Sequence, residues 1–262
     1  MNNYILFFGH GFNINPVAFS IGSKPVYWYG IIIALALVCG YILSSYIAKK
    51  SEICQDTILD LVIFGAPAAI ICARLYYVIF SFSEYKDNLL KIFAVWEGGI
   101  AIYGAIIGAA CAAYIYCRTK KLNWKKVFDV AIIGVILGQC IGRWGNFVNR
   151  EAFGSQTSLP WKMGIYQGGE LIFVHPTFLY ESLWNLMGVF ILLFINNNKK
   201  FDGQTFYSYL VLYGAGRFLI EGLRTDSLYL GVFRVSQLVA AITFIIGTIL
   251  IVYNLKKQKS LT

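Results

Sequence analysis

The segment GRWGNFVNREAFG (Gly142–Gly154) places Arg143, Asn146, Arg150 and Glu151 directly after the apolar run VAIIGVILGQCI. A second set, Arg217, Glu221 and Arg224 in YGAGRFLIEGLRTD, is spaced i, i+4, i+7, which is one face of a helix. Arg143, Asn146 and Arg150, spaced i, i+3, i+7, likewise share one face if the helix continues outward. Glu181 ends the stretch HPTFLYE, and Tyr103 lies in EGGIAIYGAIIG, which opens with Glu97. Guanidinium groups hold phosphate or carboxylate through a planar fork. They also stabilise charge that develops on a departing phosphate. Carboxylates among them serve as acid or base, or hold an arginine in place. These residue types suit chemistry on a phosphate ester.

The elements that must position them are membrane spans. Of 262 residues, 58% are hydrophobic and only 13% charged, unlike a soluble domain. A hydrocarbon core roughly 30 Å thick needs about 20 mostly apolar residues per helix. Suitable stretches run near Val26 to Ile47, Thr57 to Phe80, Ile92 to Tyr116, Val127 to Asn146, Thr177 to Ile195, Thr205 to Arg224 and Val232 to Asn254. The expected fold is therefore an all-α integral membrane protein, one membrane domain over residues 1–262 with seven transmembrane helices. Residues 1–25 are expected to be an interfacial arm; no charged region precedes an apolar run there, so no cleaved signal peptide is expected. Residues 147–176 are expected to form a small extracytoplasmic head, with WKMGIY and LIFVH joined through Gly168 and Gly169 as a short β-hairpin.

Charge sets the expected orientation. Alternate span ends carry Lys49, Lys50, Arg118, Lys120, Lys121, Lys125, Lys126, Lys199, Lys200, Lys256, Lys257 and Lys259. These belong in the cytoplasm, which puts the N-terminus outside and the C-terminus inside. The net charge of +9 is then a topology signal, and no nucleic-acid partner is needed to explain it. The other half holds Arg74, Arg143, Arg150, Arg217, Arg224 and Arg234, and reads as built for an anion.

Depth follows from a helical rise of about 1.5 Å per residue. Counted from the outer ends of the spans, Arg143 and Glu221 lie roughly 6 Å deep, Glu97 about 8 Å, Glu181 about 9 Å, Arg217 roughly 12 Å and Tyr103 about 17 Å. Each lone charge in a bilayer costs at least a few kcal/mol, so such a layer faces a protein interior and pairs internally. A buried ion network that only fixes helix packing is the bland alternative, as is snorkelling for Arg74 and close packing for the Gly104–Gly108 pair. Trp28, Trp96, Trp144 and Trp161 suit an aromatic belt.

No CxxC pair or outer-loop cysteine occurs, and His10 and His175 are the only histidines, so neither disulfides, a metal nor any other cofactor is expected. An anion or lipid transporter, or another enzyme acting on an anionic phospholipid, would also want intramembrane arginines. A transporter predicts access from both faces, whereas the polar residues cluster in one half.

GRWGNFVNREAFG resembles the signature of bacterial prolipoprotein diacylglyceryl transferases, close to GRxGNFxNxExxG. YWYG (Tyr27 to Gly30), ARLYYV (Ala73 to Val78), HPTFLYE and GAGRFLIEGLRTD follow in family order. The resemblance implies an enzyme of the bacterial cytoplasmic membrane. It would move the diacylglyceryl group of phosphatidylglycerol to the lipobox cysteine of a prolipoprotein signal peptide, with its site at the outer leaflet. It further implies that Arg143 and Arg217 bind and polarise phosphate, that Asn146, Glu151, Gly154 and Tyr29 shape the headgroup site, and that Glu181 and Glu221 position the arginines. Tyr103 stands where many members have a histidine proposed as the base. Either Tyr103, Glu181 or Glu221 takes the thiol proton, or the position mainly hydrogen-bonds substrate. A thiol of pKa about 8.5 already leaves a few per cent thiolate at neutral pH, which favours the last.

Overall fold

A computed structural model describes residues 3–95 and 98–260. Glu97 and Trp96, and the positions expected for them, lie outside the described residues. The chain is mostly helical: α1 (Trp28–Lys50), α2 (Gln55–Phe80), α3 (Ile102–Thr119), α4 (Trp124–Asn149), α5 (Thr177–Asn197), α6 (Gln204–Glu221) and α7 (Val235–Lys259). All but α6 are long and apolar enough to cross a membrane; α6 carries Arg217 and Glu221. Large apolar side chains such as Leu35, Ile71, Phe190 and Ile249 are exposed, while Glu181, Ser182, Asn185, Ser208 and Glu221 are buried. Surrounding hydrocarbon produces this distribution, because apolar atoms gain little by hiding from it and polar ones need internal partners. The chain is an integral membrane protein.

It divides into two compact units, Ser44–Phe128 and the combination of Met1–Leu43 with Asp129–Thr262. In the first, α3 packs on α2. A Cβ at Gly108 would lie 2.6 Å from the Ala68 carbonyl oxygen, and one at Gly104 would run into that of Cys72, so the small-residue pair permits close approach. α3 starts at Ile102 rather than at Ile92, which puts Tyr103 in its first turn and removes the basis for a depth of about 17 Å. Ahead of it come a short 3-10 turn, Leu89–Phe93, and Gly98 and Gly99 with φ of 89° and 68°. The buried Arg74 explains why this segment does without a helix. Its guanidinium donates to the carbonyls of Ile92 (2.8 Å), Lys91 (2.5 Å), Gly98 (2.6 Å) and Gly99 (2.9 Å), meeting the backbone's need for partners.

The second unit holds a four-stranded antiparallel sheet. Strands β1 (Tyr4–Phe7), β2 (His10–Asn13), β5 (Met163–Gln167) and β6 (Glu170–Val174) are ordered β2-β1-β5-β6. The remaining strands form two further hairpins, β3 (Val17–Ile21) with β4 (Lys24–Tyr27), and β7 (Tyr229–Leu230) with β8 (Phe233–Arg234). Ile5 opposes Ile165 and Phe7 opposes Met163. Their side chains form one buried cluster with Val174, Phe147 in the last turn of α4 and Phe178 in the first turn of α5. The sheet thereby fixes the ends of two helices that carry site residues. Arg150 secures the same arm, donating to the Ile14 carbonyl at 3.0 Å and to Asn3 Oδ1 at 3.2 Å.

Near the opposite end of α4, Asp129 is fully buried. It accepts from Lys199 Nζ at 2.9 Å and from the backbone amides of Gly203 (2.8 Å) and Phe206 (2.9 Å). One carboxylate thus caps the start of α6 from another helix, satisfying donors that a helix cannot satisfy itself.

Candidate active site, an arginine–carboxylate cluster

Glu181, in the second turn of α5, is the hub. Arg143 of α4 meets it at 2.5 Å, Arg217 of α6 at 3.4 Å and Arg224, just past α6, at 3.5 Å. Arg217 also pairs with Glu221 one turn along α6, at 2.6 Å. Arg224 forms a fork with Asp226, Nε to Oδ1 at 2.9 Å and Nη2 to Oδ2 at 2.7 Å. Three guanidiniums therefore face three carboxylates, of which Glu181 and Glu221 are buried among the helices, where unpaired charges would be costly, while Asp226 is half exposed. Arg143 is the most accessible of the three, its side chain 26% exposed against 15% for Arg217 and 11% for Arg224.

From Arg143 the cluster continues along GRWGNFVNREAFG. Arg143 Nη1 donates to Asn146 Oδ1 at 3.2 Å, and Asn146 Nδ2 donates to Glu151 at 2.8 Å. Beyond α4, Arg150 and Ala152 take left-handed φ of 55° and 56°, an uncommon conformation for such residues. That turn brings Glu151 back over Asn146. Tyr29 packs on this helix end: a Cβ at Gly145 would lie 2.7 Å from its ring.

Gly154 acts through backbone. Its amide donates to the His175 carbonyl at 3.0 Å, and the next amide, of Ser155, donates to the Leu223 carbonyl at 2.8 Å. A Cβ at Gly154 would fall 2.7 Å from that of His175, so only glycine lets the loop sit against the strand of chain leading into Arg224. Arg234 strengthens this junction by donating to the backbone carbonyls of Glu221 and of Arg224, the latter at 3.1 Å. At Asp226, burial would raise the carboxyl's pKa, but hydrogen bonding and charge from Arg224 outweigh it and hold the group below its ordinary value.

Sequence reasoning therefore gathers Arg143, Arg217, Glu181, Glu221, Asn146 and Glu151 correctly in space. It places Arg74, Arg150 and Arg234 on the half built for an anion; in the structure they are engaged by backbone carbonyls, and Arg150 also by Asn3. It misses Asp226, whose signal was adjacency: a carboxylate two residues from Arg224. Tyr103 belongs to the other unit. His175 lies outside the cluster; its Nδ1 is 3.1 Å from Tyr180 Oη, which accepts from Trp161 at 2.8 Å. No group of His, Cys, Asp and Glu residues suited to a metal occurs among the described residues.

Fold and site together define a membrane-embedded protein with an arginine–carboxylate cluster among its helices. More specifically, the chain belongs to the prolipoprotein diacylglyceryl transferase family, whose sequence model matches residues 16–253. It is 47% identical over 246 residues to the phosphatidylglycerol–prolipoprotein diacylglyceryl transferase of Finegoldia magna, covering 94% of this chain and 97% of that one. The proteins of the same name from Clostridioides difficile and Listeria innocua are 46% and 45% identical, over 248 and 253 residues. These cover 94% of this chain in each case, and 98% and 91% of the relatives.

Proposed function

We propose that the protein transfers the diacylglyceryl group of phosphatidylglycerol to the lipobox cysteine of a prolipoprotein, the first step of bacterial lipoprotein maturation. The sulfur attacks the glycerol carbon that bears the phosphate. A carbon–sulfur bond forms, the carbon–oxygen bond breaks, and the electron pair leaves with glycerol phosphate while the thiol gives up its proton. No enzyme nucleophile is needed, since the thiolate is itself the attacking form.

The observation that carries this reading is the Glu181 hub with its three guanidiniums. Arginines already ordered by carboxylates lose little freedom when they receive a phosphodiester. They also face the oxygen on which charge grows as the bond breaks. In this account Arg143 and Arg217 hold and polarise the phosphate, and Glu181 and Glu221 keep them aligned. Asn146, Glu151 and Tyr29 shape the space for the headgroup glycerol, and Gly154 fixes the rim. Tyr103, assigned from its motif alone, hydrogen-bonds substrate rather than acting as the base.

The same reading makes α6 a seventh span, since a helix bearing an internally paired Arg217 and Glu221 is tolerable in a bilayer. It puts the N-terminus and head sheet outside the cytoplasmic membrane, the lysine-rich ends inside, and the site at the outer leaflet. The test is reconstitution: purified protein, phosphatidylglycerol and a lipobox peptide should give a diacylglyceryl-peptide and glycerol phosphate in equal amounts. An intact protein that never adds diacylglycerol to the peptide would overturn the assignment.

A further inference from the structure

On the side of the cluster away from the head sheet lie polar side chains to which the reading above gives no task. Gln139 is one turn before Arg143 on α4, so the two share a face, and the rise per residue puts Gln139 roughly 6 Å further along the helix. On α6, Tyr213 and Tyr209 precede Arg217 by one and two turns, their rings stacked with centroids 5.7 Å apart. Gln139 Nε2 donates to the buried Tyr209 hydroxyl at 2.9 Å. Gln139 Oε1, by contrast, is buried with no hydrogen-bond partner among the described residues.

Such an atom in an apolar setting calls for an explanation. The oxygen and nitrogen of an amide exchange places by a simple turn of the group. Turned over, Gln139 accepts from the Tyr209 hydroxyl, and its N–H groups take the position that lacks a partner. In that orientation the pair is complete only when an acceptor arrives, and an acceptor of the right kind lies next to the phosphate of the proposed substrate. Moving from the phosphate toward the bilayer centre, the next polar groups of phosphatidylglycerol are its ester carbonyls. Moving the same way from Arg143, Glu181 and Arg217, the next polar side chains are Gln139, the Tyr209–Tyr213 pair and, on α5, the buried Ser182 and Asn185; of these, Gln139 carries the buried atom without a partner among the described residues.

We propose that Gln139, oriented by Tyr209, donates a hydrogen bond to an ester carbonyl of the diacylglyceryl group and so makes the enzyme selective for acyl over alkyl chains. This rests on the phosphate occupying the arginine layer. It adds a second point of attachment that fixes the glycerol carbon relative to the phosphate.

The experiment compares wild type, Gln139→Leu and Tyr209→Phe with a lipobox peptide and either diester phosphatidylglycerol or its dialkyl-ether analogue of equal chain length. Wild type is expected to prefer the ester lipid in kcat/KM by about fivefold to tenfold, the worth of one hydrogen bond. Gln139→Leu should use both lipids at the rate at which wild type uses the ether, with the KM for peptide unchanged. Tyr209→Phe, which keeps the ring's volume, should lose part of the preference without slowing the ether reaction. The proposal is overturned if wild type shows no ester preference, or if Gln139→Leu keeps it and slows both lipids alike. A wild type active on the ester lipid leaves the transferase reading standing in either case. A wild type inactive on both removes that reading, and this proposal with it.

Discussion

Replacing Glu181 by glutamine tests the hub without changing its volume. The carboxylate is 7% exposed and accepts from three guanidiniums, the shortest contact being 2.5 Å to Arg143. Removing one partner of a buried ion pair costs about 3–5 kcal/mol. Arg217 and Arg224 retain Glu221 and Asp226, so the low end, about 3 kcal/mol, applies here. At about 2–4 °C per kcal/mol the melting temperature in detergent should fall by about 6–12 °C. Arg143 loses its closest contact, and misplacing a group that stabilises developing charge lowers kcat by about 10²–10³. The KM for phosphatidylglycerol should stay level or fall, because three guanidiniums would then face two carboxylates. Melting curves and initial rates of peptide modification give both quantities. A Glu181→Gln protein with the melting temperature and kcat of wild type would refute the argument that this carboxylate aligns the arginines.

Asp129→Asn should destabilise the start of α6 and lower the melting temperature by about 6 °C or more, because the fully buried carboxylate is lost and Lys199 loses its closest counter-ion; an unchanged melting temperature would remove the capping role. Tyr103→Phe should reduce turnover by about tenfold, the worth of one hydrogen bond, without displacing its pH optimum; wild-type turnover would rule out any need for the hydroxyl. At Asp226 the depressed pKa means that its ion pair with Arg224 contributes above the ordinary carboxylate value and is lost as pH falls through the lower folded value. The stability difference between wild type and Asp226→Asn should therefore be constant near neutral pH and shrink below about pH 4. A difference that does not change with pH would contradict that sign.

Arg143, Arg217, Glu181 and Glu221 could be read from the sequence because a bilayer leaves intramembrane charges few options: they pair with one another, and helical spacing says which can meet. The same logic could not sort the other arginines. Arg74, Arg150 and Arg234 serve carbonyls freed by irregular backbone, and where the backbone departs from a helix is not written in residue type. For the same reason α3 begins at Ile102 although apolar residues start ten positions earlier. The N-terminal strands were hidden differently. Ile5 and Phe7 alternate inward as a strand requires, but in a chain where apolar runs are everywhere that pattern reads as membrane contact. Asp129 is a single charge near the start of a span in the sequence, and its role depends on two amides about 75 residues away.

Whether Arg143 and Arg217 hold the phosphate is decided by transfer assays on Arg143→Ala and Arg217→Ala proteins. Each variant, purified and confirmed as membrane-inserted, would be given phosphatidylglycerol and a lipobox peptide, with peptide mass and released glycerol phosphate followed together. Wild type should form both products in equal amounts, and neither variant should form either. Near-normal turnover by both variants would contradict that role.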